Sequence, residues 1–144
     1  MADAVAQLTS EYLDLVFETF PTAATVFGRH EHDGRLEDLS AGRLDDFARR
    51  LAELRRRVTA VAPADEEEAA DRDALAAAIS EAVLAEEAER PWRRNPFEAA
   101  TAVPAAILLL VARDFAPLEE RLANAAERLE AAPAFLERAR TLLD

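Results

Sequence analysis

Histidine and carboxylate crowd together at one place in this chain, His30-Glu31-His32, with Asp33 beside them and Glu37 close behind. An imidazole next to a carboxylate can ligate a metal or act as a general base. The spacing argues against a helical zinc site, which places its histidines at i and i+4 so that both rings share a face. Here they are two positions apart, and only Asp33 or Glu37 could complete a ligand set. A structural or solvent-exposed role for both histidines is the expectation. A two-iron carboxylate bundle is excluded as well, because it needs two Glu-x-x-His pairs on facing helices and both histidines lie in one segment.

Other chemistries lack their residues. All 17 basic residues are Arg, so a Schiff-base lysine or a P-loop lysine is absent. There is no Cys, which removes disulfides, thiolate nucleophiles and cysteine metal sites. Ser10, Ser40 and Ser80 have no Gly-x-Ser-x-Gly setting, and Gly28, Gly34 and Gly42 are too far apart to cradle a phosphate. The runs Glu66 to Glu68 and Glu86, Glu87 and Glu89 read as solvated helix faces. With 29 acidic residues against 17 basic, the formal net charge of -12 disfavours nucleic acid and anionic membrane surfaces as partners. No complete active site is visible.

The elements that carry these residues are helical. At 144 residues the chain is long enough for one domain with its own core, expected to span 1-144. A first helix is predicted from about Ala2 to Phe20, with Leu8, Tyr12, Leu15, Val16 and Thr19 on one face. Pro21 opens a short helix over Thr22 to Phe27, which Gly28 closes in the left-handed conformation. Arg29 to Leu39, with both histidines, is an ordered loop. Ser40 then caps a helix whose seam is Leu44, Phe47, Leu51, Leu54, Val58 and Val61, ended by Pro63. Asp65 and Glu68 form a capping-box start for a helix reaching Glu89 or Arg90, with Leu75, Ile79 and Val83 buried.

The two prolines around Trp92 make Arg90 to Phe97 a structured connection anchored by that ring. The segment that follows, to Ala112, is predicted to be kinked or started near Pro104, buried on most sides because Ile107 to Val111 are consecutively apolar, and central. Pro117 and Pro133 each open a helix, one carrying Leu118, Leu122, Ala125 and Leu129, the other Phe135, Leu136, Ala139 and Leu143. The fold class is all-α, an antiparallel bundle of about five to seven helices. Asp3, Glu11 and Asp14 stand where a signal peptide is uncharged, and the stretch Ala99 to Ala112 is shorter than the roughly 20 apolar residues of a membrane span, so the expectation is a cytoplasmic chain.

Two blocks carry a specific resemblance. Pro21-Thr-Ala-Ala-Thr-Val-Phe-Gly-Arg-His30, continuing through Asp33, Leu36, Asp38 and Ser40, is similar to the opening signature of a bacterial family catalogued as domain of unknown function 885. Arg90-Pro-Trp-Arg-Arg-Asn95-Pro96, then Leu109 to Ala116 with Arg113 and Asp114, then Pro117 to Arg121 and Arg128 to Pro133, resembles the same family's next block in the same order.

The resemblance implies longer, mostly helical relatives that are zincin-like metallopeptidases. Their metal-binding signature is a His-Glu pair followed by Pro-Gly-His in the carboxy-terminal half. This chain has no Pro-Gly-His and no His beyond position 32, so neither catalytic residues nor metal ligands carry over. Zinc is expected only in the carboxy-terminal half. What carries over is His30, Asp33, Asn95 and Arg113, as candidate cleft or motif residues. The implied role is that of an amino-terminal helical region, one wall of a substrate cleft or a cover for the catalytic half, with that half or a second copy docking on an apolar helix face. The alternative is a free-standing helical interaction module. An independent small enzyme would need a pocket with convergent polar groups. An exposed apolar face favours the first reading and a fully polar surface the second.

Overall fold

Every regular element in the computed structural model, which describes residues 4–143, is helical. The chain is all-α. Seven α-helices follow in order: α1 Ala4–Thr19, α2 Pro21–Val26, α3 Ala41–Thr59, α4 Glu66–Leu84, α5 Pro91–Arg94, α6 Pro96–Ala112 and α7 Leu118–Leu142. The predicted helix start at Ala2 and the chain ends lie outside the described residues. Among the described residues no single helix is long and apolar enough to cross a membrane. They cluster into two compact units, 4–15 with 44–90 and 16–43 with 91–143, and α1 and α3 each contribute to both.

In the first unit the predicted seam holds. Leu44, Phe47, Leu51, Leu54 and Val58 of α3 are buried, as are Val5, Leu8 and Leu15 of α1 and Leu75, Ile79 and Val83 of α4. Val61 falls outside the seam, because α3 ends at Thr59 before Pro63 is reached. Asp65 accepts the Glu68 amide at 2.9 Å while the Glu68 carboxylate accepts the Ala64 amide at 2.5 Å, which satisfies two otherwise orphan donors at the start of α4. The last turn before the connection widens over Ala85–Glu89, and Arg90 ends it with a left-handed backbone. Arg57 of α3 grips the Glu11 carboxylate of α1 with both guanidinium nitrogens, at 2.6 and 3.0 Å.

The second unit is built on α6 and α7. Arg121, in the first turns of α7, donates to the carbonyls of Leu110, Val111 and Arg113 at the end of α6 and to Ala116. It thereby satisfies the acceptors that a helix end leaves unpaired. Two turns later Arg128 reaches the Ala106 carbonyl at 2.8 Å, so the two helices run antiparallel. The connection before α6 contains the one-turn α5, whose Trp92 meets Phe135 of α7 edge-on with centroids 6.2 Å apart. That is the anchoring role expected of Trp92.

Two expectations fail in this unit. The apolar segment of α6 is not buried on most sides: only Ala106 and Leu110 are, while Phe97, Leu108 and Val111 are exposed. One stripe of the helix meets neighbours, so of the consecutive apolar run Leu108 and Val111 remain in solvent while Ile107 and Leu109 are half-buried. α7 is one helix running through Pro133 rather than two. Its buried positions are Arg121, Ala125, Arg128, Ala132, Phe135, Ala139 and Leu142, a regular three-four spacing with two arginines in it. Leu118, Leu122, Leu129 and Leu136 lie on the exposed side. Small alanines let α7 approach its neighbours closely, and the arginines supply the hydrogen bonds.

Candidate functional site

The site begins where α2 ends. Pro21 stands at the first helical position, one residue earlier than predicted, and Phe27 follows the last turn. Gly28 has φ +79, the left-handed region that lets the chain reverse, and a Cβ built there would meet nothing within 4 Å. The requirement for glycine is thus conformational, not spatial. His30–His32 then form a single 3-10 turn inside the predicted loop, and this turn lets His30 reach Asp33 three residues on.

His30 Nδ1 lies 2.9 Å from Asp33 Oδ2. The Asp33 side chain is 1% exposed, against 38% for His30. The other Asp33 oxygen accepts the Thr25 hydroxyl at 2.6 Å, and Thr25 Oγ1 accepts Arg128 Nη2 at 2.6 Å. Arg128 is fully buried, with its remaining nitrogens on the carbonyls of Arg35 and Ala106. Burial lowers the Arg128 pKa from its ordinary value, while the charges of Asp33 and Glu37 act in the opposite direction. An arginine nonetheless keeps its charge in such a place. Donation therefore runs from Arg128 to Thr25 to Asp33, and Asp33 has one oxygen left for the Nδ1 proton of His30. The imidazole also stacks on Phe115, with centroids 3.8 Å apart and planes 7° from parallel. Phe115 in turn lies under the Arg121 guanidinium.

Glu37 is buried beside this chain of donors, with Oε1 accepting from the Thr22 hydroxyl and amide and Oε2 lacking a hydrogen-bond partner. Gly34 faces Glu127 and Asn124 of α7, where a Cβ would collide with the Glu127 carboxylate.

Of the four residues singled out from sequence, His30 and Asp33 are thus bonded to each other. Arg113 is exposed and donates Nη1 to the Val26 carbonyl at 3.2 Å, tying the end of α6 to the last turn of α2. Asn95 caps α6, accepting the Phe97 amide at 3.1 Å and donating to Glu98 at the same distance. Its bonds serve the helix. Thr25, Phe115 and Arg128 lie inside the matched blocks, but nothing in their local sequence marks them as partners of His30. The signal that could have found Arg128 and Arg121 is their place on the three-four seam with Ala125, Ala132 and Phe135.

As a zinc site the cluster does not fit, because no group of three His, Cys, Asp or Glu side chains among the described residues could hold a metal ion. The arrangement resembles instead the support of a working histidine, in which a buried carboxylate fixes one nitrogen and leaves the other to act. A family model described as a bacterial protein of unknown function (DUF885) matches residues 21–144. No curated protein and no solved structure matches the chain.

Proposed function

The chain belongs to the DUF885 family of bacterial proteins, and on that premise we propose that it is the helical amino-terminal region of a peptidase-like protein, forming one wall of a substrate cleft. It is non-catalytic by itself. The catalytic metal belongs to a carboxy-terminal half of the kind the sequence resemblance implies.

One observation carries this reading. Leu118, Leu122, Leu129 and Leu136 of α7 are 44–56% exposed, and α6 adds Phe97 at 68% and Leu108 at 61%. A stable soluble domain leaves scattered apolar residues in water, but helix-length apolar stripes support a face that another body covers. A polar α7, as a free-standing module would carry, is not what this sequence provides.

The test mixes the chain with the carboxy-terminal half of a family member that has the His-Glu and Pro-Gly-His motifs. The expected result is co-elution in a fixed ratio and peptide hydrolysis that the chain enhances. A chain that elutes alone and leaves hydrolysis unchanged overturns the proposal in favour of an interaction module with a different partner.

A further inference from the structure

The His30 ring has one nitrogen uncommitted by the loop. Nδ1 belongs to Asp33, and one ring face belongs to Phe115, so Nε2 is the atom that can meet a group from outside. In the neutral ring with its proton on Nδ1, Nε2 is an acceptor. The support behind it is complete: the Asp33 carboxylate, the Thr25 hydroxyl and the Arg128 guanidinium are all buried and bonded in series. A histidine needed only to stack on Phe115 would not require this shell. Such a shell is what holds a functional side chain in a fixed orientation.

The surroundings narrow the ligand. Val26 and Phe27, 46% and 73% exposed, end α2 just ahead of the histidine turn and offer an apolar step. Arg113 is tied to Val26 through a single nitrogen, so the rest of its exposed guanidinium can serve as a donor. Arg113, at the end of α6, is held beside Phe27 and His30 by its bond to Val26 and by the stacking of Phe115 on His30, and an acceptor nitrogen, a donor cation and an apolar plate so grouped match an extended peptide with its alternating N–H, C=O and side chain. We infer that His30, Arg113 and Phe27 form a peptide-binding subsite: Nε2 accepts a main-chain N–H, Arg113 donates to a main-chain carbonyl or terminal carboxylate, and Phe27 meets an apolar side chain. This names the substrate class of the cleft wall and rests on that reading for its place in a larger protein.

The chain has only two histidines, so His32 is an internal control for imaging the rings by NMR. The probe is the unblocked pentapeptide Ala-Ala-Leu-Ala-Ala, titrated into the intact chain with nitrogen-15-labelled imidazoles. The expected result is a saturable shift of the His30 Nε2 resonance with His32 unmoved. His30→Asn, which keeps a donor for Asp33 and removes Nε2, should retain the thermal transition and weaken binding at least tenfold, measured by backbone amide shifts. Phe27→Ser, an exposed position, should weaken binding while leaving the His30 ring signals of the free protein in place. No shift at His30, equal shifts at both histidines, or full binding by His30→Asn would overturn the inference. Failure of the chain to bind a carboxy-terminal half would leave the ring shifts intact, so the two readings fail separately.

Discussion

Arg128 and Thr25 are 103 residues apart in the chain and 2.6 Å apart in space, Nη2 to Oγ1. Through that contact a charge buried on α7 fixes the hydroxyl that fixes Asp33, and so the ring of His30. The long-range contact thereby helps to orient the ring on the histidine turn.

Replacing Thr25 by Val keeps the volume and removes both bonds, leaving Arg128 Nη2 and one Asp33 oxygen buried without that partner. Hydrogen bonds to charged groups are worth about 1.5–3 kcal/mol each, so a loss of roughly 3–6 kcal/mol is expected in denaturant melts. A loss below about 0.5 kcal/mol, the range of ordinary surface changes, would mean the network is dispensable.

Leu51 is fully buried on α3, and Leu129 on α7 is 56% exposed. Leu51→Ala should destabilise by about 2–5 kcal/mol, whereas Leu129→Ala in the isolated chain should stay within about 0.5 kcal/mol. Equal effects in urea melts would contradict the assignment of the two faces.

Gly28→Ala introduces a Cβ into open space at φ +79, so its effect is purely conformational. A left-handed alanine costs about 1–2 kcal/mol. A neutral or stabilising result by thermal melting would show that the turn relaxes to another backbone.

These contrasts mark what the sequence makes legible. The α3 seam, the Asp65 and Glu68 cap and the Gly28 turn follow from residues within a few positions of one another, and local geometry decides them. The His30 and Asp33 pair was also within reach, three residues apart on one turn. The faces of α6 and α7 were not. Leucine spacing identifies a helix and a stripe, but whether the stripe is buried depends on which neighbours the helix meets, and here alanine and arginine face inward. Phe115 and Arg128 reach the site from distant elements, so the sequence around His30 carries no trace of them.

The Arg57 hydrogen bond lowers the Glu11 pKa below the ordinary carboxylate value, and Glu11 likewise raises that of Arg57. A carboxylate with a depressed folded pKa contributes stability that is full above its unfolded pKa and is lost as pH falls through the folded one. Glu11→Gln should therefore lower stability slightly at neutral pH, with the difference from wild type closing as pH falls below the ordinary carboxylate range. The pair is exposed, so salt should shrink the difference as well. A gap that persists at pH 2 in acid denaturation would assign it to packing instead.

In the proposed assembly the exposed leucines of α7 are covered by the other half of a peptidase-like protein. Isothermal titration of the carboxy-terminal half of a family member with wild-type chain and with Leu129→Glu tests it most directly. Both forms should have the same far-UV circular dichroism and thermal transition, because position 129 faces solvent in the free chain. The wild type should bind and the variant should bind at least tenfold more weakly, about 1.4 kcal/mol or more. Equal affinities, or no binding by either, would contradict the claim.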